Sequence, residues 1–278
     1  MSYDVLGASP LDYLPCRYGT SKLMFRGPKR DLTVPYVAFV GGTETYGRFI
    51  ETPFPELVEK ALGQVCVNFG QVNAGVDAFC LDAGLVKTIG DAEVSVVQVM
   101  GAQNMTNRFY SVHPRRNDRF VGASTLLQTI FREVDFSDFH FNKHLLQQLR
   151  QVSEERFQAV RQELQEAWKA RMKLMLKQFR GKTVLLWISD QPPKEQDAYC
   201  DETEGSDPML ITQDMIDEIR PLVTDVVEVV ASAETISAGP EGMILSEMDH
   251  MAAAQMLGPK LHRQVADALI PCIQQMRN

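Results

Sequence analysis

Tyr36-Val37-Ala38-Phe39-Val40-Gly41-Gly42-Thr43-Glu44-Thr45-Tyr46-Gly47 is the stretch from which the fold is read. Its first half is a short, unbroken apolar run, the form taken by a strand buried on both faces of a parallel sheet. Its second half opens on two adjacent glycines, which let the backbone turn sharply and leave amides free to face an anion. Val65–Phe69 and Val94–Met100 repeat the pattern, each running into a glycine-bearing loop, and Thr183–Ile188 and Asp225–Ala231 follow late in the chain. Helical patterns lie between them over Phe54–Gln64, Val76–Ile89, Ser153–Phe179 and Pro259–Met276. In the longest, Phe157, Val160, Leu164, Trp168, Met172, Met175 and Phe179 recur at three- and four-residue spacing and form one stripe, read as core. Ser153 suits its cap, and Glu154 and Glu155 suit its positive end. Strands alternating with helices predict an α/β fold, a three-layer α/β/α sandwich on a five-stranded parallel sheet in the order 2-1-3-4-5.

Bulk properties narrow the function classes. The 278 residues carry a formal charge of −8, which argues against a nucleic-acid partner. No apolar stretch approaches the ~20 residues a membrane span needs. The opening residues lack a basic start followed by an apolar run, and five scattered cysteines form no CxxC pair. Reduced thiols and a cytoplasmic location are expected, with no metal and no cofactor. Residues 1–34 read as an irregular N-terminal arm. Residues 35–278 read as a single domain with a helical insertion at about 106–180, and Gln191–Pro208 as an exposed acidic loop. Asp77, Asp82 and Asp91 read as solvated helix positions, His140 and His144 as core or surface side chains, and His262 as structural. The oligomeric state is left open.

In such sheets ligands lie beyond the carboxyl ends of the strands, where the strand order reverses. The loops after the first and third strands, Gly41–Gly47 and Gly101–Asn104, flank that crevice. Gly41-Gly42-Thr43-Glu44-Thr45-Tyr46-Gly47 resembles the first block of the SGNH (GDSL-type) hydrolase superfamily, Gly-Asp-Ser-x-Thr-x-Gly. Asn68-Phe69-Gly70-Gln71-Val72-Asn73-Ala74-Gly75 resembles the second block, and Gly101-Ala102-Gln103-Asn104 the third. Glu247-x-x-His250 has the spacing of the closing Asp-x-x-His, and the helix after it carries Gly258, His262, Ala266 and Leu269. The resemblance implies a flavodoxin-like sandwich of esterases, acetyl hydrolases and acyltransferases. It implies Thr43 as nucleophile, His250 as base and Glu247 as orienting acid. Gly42, Gly70, Gly75 and Asn104 would supply the oxyanion hole. The chain departs from the pattern at four places: Thr43 replaces serine, Gly42 replaces aspartate, Glu247 replaces aspartate, and in the third block, Gly-x-Asn-Asp in the family, the asparagine falls on Gln103 or, with a one-residue gap, on Asn104.

The middle of the chain, Asn107 to Phe120, resembles a bacterial domain family of unknown function more closely still. Within it Arg108, Arg115, Arg116 and Arg119 gather with His113 in an otherwise acidic chain. Arginine forks suit carboxylate, phosphate or sulfate, so these residues, with Glu44 of the first loop, are candidate contacts for a small anionic substrate. The alternative is that they pair with Asp118, Glu133 and Asp135 and hold the insertion in place. Two functions stay open. One is a divergent ester hydrolase or acyltransferase; the other is an inactive SGNH-like fold that binds an anionic ligand or a protein partner.

Overall fold

β1 (Val37–Val40), β2 (Cys66–Asn68) and β3 (Val94–Gln98) lie parallel with β1 in the middle. β6 (Lys182–Ser189) and β7 (Asp225–Val230) extend the same sheet beyond β3. The resulting order, β2-β1-β3-β6-β7, is the 2-1-3-4-5 series expected of the five strand-like runs. The structure is a computed structural model that describes residues 10–195 and 207–277. The expected Gln191–Pro208 loop therefore lies largely outside the described residues, as does Cys200.

Each strand feeds two cores, because successive side chains point to opposite faces. Val37 and Phe39 of β1 join one core, Ala38 and Val40 the other. On β6, Val184, Leu186 and Ile188 face the first, Leu185 and Trp187 the second. The first core is closed by α2 (Phe54–Leu62), through Phe54 and Val58, and by α11 (Pro259–Arg277), through Leu261, Val265, Leu269 and Ile273. The second is closed by α4 (Ala83–Gly90), α7 (Glu154–Leu176) and α8 (Gln213–Ile219). Ser153 caps α7 as its sequence suggests, accepting from the Arg156 N–H. The stripe on α7 is core, and Trp168 at its centre is fully buried and donates its indole N–H to the Met100 carbonyl at 2.8 Å.

Three local expectations are corrected. Val76–Ile89 is two helices, α3 (Asp77–Cys80) and α4, because Asp82 takes an extended backbone and caps the second by accepting from the Leu85 N–H. Asp77 is not solvated but buried, accepting from Arg171 Nε at 2.8 Å and from the Thr106 N–H at 2.9 Å. The insertion expected to be helical from about residue 106 opens instead with an antiparallel hairpin, β4 (Tyr110–His113) and β5 (Arg116–Ala123), outside the main sheet. After it come α5 (Thr125–Ile130) and α6 (Asn142–Val152). Late in the chain, α9 (Ala233–Ala238) and α10 (His250–Ala253) lie between β7 and α11.

From residue 10 onward the N-terminal arm is pinned by its aromatics. Tyr18 and Phe25 are buried, and each packs its ring 5.2 Å from that of Phe69, just past β2. Arg26 is buried with them and donates to the Gly47 and Glu51 carbonyls, tying the arm to the chain beyond the first loop.

Candidate active site at the strand ends

The chain leaves β1 for one side of the sheet and returns on the other at β3, so the crevice of the reversal opens between their carboxyl ends. The first loop folds as a single turn, α1 (Thr43–Tyr46). Gln98, the last residue of β3, fixes it. Gln98 Oε1 accepts from the Gly42 N–H at 3.0 Å, the Thr45 N–H at 3.3 Å and the Thr45 hydroxyl at 2.6 Å. With its oxygen so engaged, Nε2 is left to donate to the Glu44 carboxylate at 2.7 Å. Gly41 is required here, since a Cβ on it would stand 2.2 Å from Thr45 Oγ1.

Thr43 is half-buried, and its hydroxyl meets Asn73. The Asn73 N–H donates to Thr43 Oγ1 at 3.0 Å, and that hydroxyl donates to Asn73 Oδ1 at 3.1 Å. Asn73 has φ 56, the left-handed region that asparagine tolerates better than most residues. That conformation turns its N–H toward the hydroxyl. Asn104 Nδ2 donates to the Asn73 carbonyl at 3.1 Å, so the loops after β1 and β3 do meet, through a residue of the loop after β2. Asn73 Nδ2 reaches Asp118 of β5 at 3.3 Å. Behind it, buried Asn117 accepts from the Gly75 N–H at 3.1 Å, and buried Asn142 donates to Asn104 Oδ1 at 3.1 Å and to the Asn117 carbonyl. The hairpin and α6 are thus locked onto the crevice wall by asparagines.

The structure gathers some of the expected residues and separates others. Gly42, Thr43 and Glu44 stand together at the start of α1, and Asn104 joins them through Asn73. Three of the expected oxyanion donors are already spent: the Gly42 N–H on Gln98, the Gly70 N–H on Asn68 Oδ1 at 2.8 Å, and the Gly75 N–H on Asn117. His250 and Glu247 are exposed, and the Thr43 hydroxyl bonds to Asn73 rather than to an imidazole. The four arginines do not converge. Arg108 pairs with Glu163 of α7 at 2.6 Å, Arg119 lies 4.2 Å over the Phe141 ring, and Arg115 and Arg116 are exposed at the hairpin turn, where His113 Nδ1 accepts from the Arg115 N–H. Nor do they hold the acids offered as partners. Glu133 pairs with Arg156, Asp135 caps Ser137, and Asp118 accepts from Asn73.

Sequence reasoning missed Asn73, Gln98, Asn117 and Asp118. Of these only Asn73 carried a signal, as a residue suited to positive φ inside a glycine-bearing loop. Asp207 was missed as well: its backbone carbonyl accepts from Ser189 Oγ at 2.9 Å at the end of β6, and its carboxylate accepts from Gln103 Nε2 at 3.3 Å. Burial, and then the like charge of Asp207, push the Glu44 carboxyl above its ordinary range, against the Gln98 hydrogen bond that favours the ionised form. His262 is confirmed as structural: buried, it accepts the Phe54 N–H at Nδ1.

Among the described residues no group of three or more His, Cys, Asp or Glu side chains is placed to hold a metal ion. No helix among them is long and apolar enough to cross a membrane. Residues 1–277 match the model of a family described as a domain of unknown function (DUF6473). No curated protein matches the chain. Solved structures similar to it include a gut microbial diltiazem-metabolizing enzyme, at 12% identity over 85% of this chain and 46% of that one, with a TM-score of 0.41. Another is a mutant acetyl-xylooligosaccharide esterase from Geobacillus Stearmophilus, at 13% identity over 85% of this chain and 93% of that one, with a TM-score of 0.42. The chain spans about half the length of the first of these.

Proposed function

We propose that this chain, which belongs to the DUF6473 family, is a divergent SGNH-like ester hydrolase or acyltransferase that works at the Thr43 hydroxyl. One observation carries the reading: a half-exposed hydroxyl lies 3.0 Å from a left-handed backbone N–H at the strand-end crevice. Acyl transfer needs a nucleophile beside fixed donors aimed at the charge that develops on the carbonyl oxygen. In this role Thr43 Oγ1 attacks the ester carbonyl, and the Asn73 N–H passes from the hydroxyl to the new oxyanion. Asn104, already against the Asn73 carbonyl, supplies the second donor from its remaining amide hydrogen. Asn73 therefore takes the part first given to Gly42, Gly70 and Gly75.

The hydroxyl also needs a base, and its present acceptor, an amide oxygen, is not one. His250, oriented by Glu247, is the base of the proposal. The segment before it is anchored beside α1 by the Ile244 N–H on the Phe49 carbonyl at 2.9 Å. The imidazole must replace Asn73 Oδ1 at the hydroxyl, a contact of the kind that forms only with substrate bound. The test is hydrolysis of p-nitrophenyl acetate. Thr43→Val is expected to lower the rate on the order of 1,000-fold while keeping the fold, and His250→Ala to do the same. Equal rates in the parent and Thr43→Val remove the residue from the mechanism.

A second reading has its own support in the three spent glycine amides. A fold that has closed its oxyanion hole with its own side chains binds a ligand without turning it over, and would show saturable binding with no hydrolysis.

A further inference from the structure

We infer that Asp118 is a positioning residue for the Thr43 hydroxyl, acting through the Asn73 side chain. The inference rests on the reading of Thr43 as the reacting group, and it adds to that site a carboxylate that the proposed chemistry leaves unused.

The three residues form one continuous chain of hydrogen bonds. The Thr43 hydroxyl donates to Asn73 Oδ1 at 3.1 Å, and Asn73 Nδ2 donates to Asp118 Oδ2 at 3.3 Å. The direction of the amide between them decides what the hydroxyl can do. As it stands, Thr43 Oγ1 accepts one hydrogen bond, from the Asn73 backbone N–H at 3.0 Å, and keeps its other lone pair for a carbonyl carbon. Turned round, the same amide would present Nδ2 to the hydroxyl. Oγ1 would then accept from two N–H groups and have no lone pair left for attack. Thr43 does not choose between these directions, because a hydroxyl both donates and accepts. A carboxylate only accepts, so Asp118 holds the amide nitrogen on its own side and the oxygen on Thr43.

Asp118 is itself held in place by its neighbour on β5. Asn117 is buried, accepts the Gly75 N–H at 3.1 Å, donates to the His113 carbonyl at 3.1 Å, and has its own carbonyl bound by Asn142. The Asn73 carbonyl is tied separately by Asn104. Two anchors, Asp118 on the side chain and Asn104 on the backbone, therefore keep this left-handed residue in place when the hydroxyl leaves Oδ1 for a base. Its N–H stays aimed at the reacting atoms, the preorganisation that an oxyanion donor needs. A purely structural role explains Asp118 less well. Among the described residues it forms no ion pair, although Arg115, Arg116 and Arg119 share its hairpin, and its bond to Asn73 is solvent-exposed, so losing it costs the fold little.

The experiment has a structural arm and a turnover arm. In the first, the Asn73 side-chain amide, assigned by its loss in Asn73→Asp, is followed by proton–nitrogen NMR correlation in the full chain. The proton facing the carboxylate is expected downfield of a free amide. It should return to the free position in Asp118→Ala, with the Thr43 methyl signal moving in the same variant. In the second arm, kcat and KM are measured for p-nitrophenyl acetate. Asp118→Ala is expected to lower kcat about ten-fold, the worth of one hydrogen bond to a charged group, and to leave KM and the melting temperature nearly unchanged. Asp118→Asn and Asn73→Asp are each expected to lower kcat at least several-fold, the second because two acceptors then face each other. The double variant Asn73→Asp/Asp118→Asn restores the donor and acceptor order and is expected to recover most of the parent kcat. An unmoved Asn73 amide in Asp118→Ala, or a double variant no faster than the slower single one, overturns the inference. Unchanged kcat in Asp118→Ala, with Thr43→Val inactive, overturns it too and leaves the proposed function standing. The expected amide and methyl shifts in a protein that hydrolyses no ester leave the inference standing and overturn the proposed function.

Discussion

His262 offers the sharpest test of how the first core is held together. It is buried against α2, its ring 5.7 Å from that of Phe54, and its Nδ1 accepts the Phe54 N–H at 3.1 Å at the start of that helix. Burial, with a smaller contribution from the charge of Arg26, pushes its pKa down to about 3, against 6.5 for the free side chain. A depressed folded-state pKa means that the neutral imidazole is the form the fold keeps. The stability it contributes is complete above the unfolded value and is lost as pH falls toward the folded one. A difference of about 3.5 units corresponds to roughly 5 kcal/mol at most, of which about 2 kcal/mol disappears between about pH 7 and pH 5. The perturbation is His262→Gln, which keeps an acceptor for the Phe54 N–H but cannot titrate. Urea unfolding of both proteins, from about pH 8 to about pH 4.5, gives stability at each pH. The parent is expected to lose its advantage over the variant steadily below about pH 6.5, with a slope approaching 1.4 kcal/mol per pH unit. Because all other titrating groups are shared, a difference that stays flat across the range refutes the buried, neutral imidazole.

Trp168→Phe keeps the ring packing but leaves the Met100 carbonyl without its donor, and is expected to cost about 1–3 kcal/mol in chemical denaturation. Asp77→Ala strips a buried acceptor from Arg171 and from the Thr106 N–H; the half-exposed arginine softens the effect to about 3 kcal/mol, read in the same experiment. Gly75→Ala places a Cβ 1.8 Å from the Asn104 carbonyl, so the crevice wall must shift. It is expected to lower both thermal stability and ester hydrolysis, whereas Gly63→Ala, with open space around it but a positive φ, should cost stability alone.

The sheet was legible because its first three strands are short apolar runs, each passing into a glycine-bearing loop, and β6 is apolar over most of its length. The order of the strands followed from placing the ligand crevice at a reversal, and the Thr43–Asn73–Asn104 contacts show the two loops meeting there. The break between α3 and α4 was hidden because Asp82 lies within an apolar period that continues across it. The hairpin was hidden for a different reason: β5 shows no clean alternation of buried and exposed residues, and the pairing has register shifts on either side of Val112. The crevice was least legible where its contacts span long stretches of sequence. Gln98 acts on α1 across more than fifty residues, and Asp207 meets Gln103 across more than a hundred. Charge counted along the chain pointed to an anion site, but the arginines found partners on α7 and beside α6 that local sequence does not reveal.

The central claim is that acyl groups pass through Thr43, and trapping the acyl-enzyme tests it most directly. The protein is mixed with excess p-nitrophenyl acetate, quenched in acid within the first turnover, and digested for mass analysis. The account predicts one acetyl group on the peptide that contains Thr43, localised to its hydroxyl and absent from Thr43→Val. Hydrolysis that proceeds with no acetyl on Thr43, or with the label on another residue and undiminished in the variant, contradicts it.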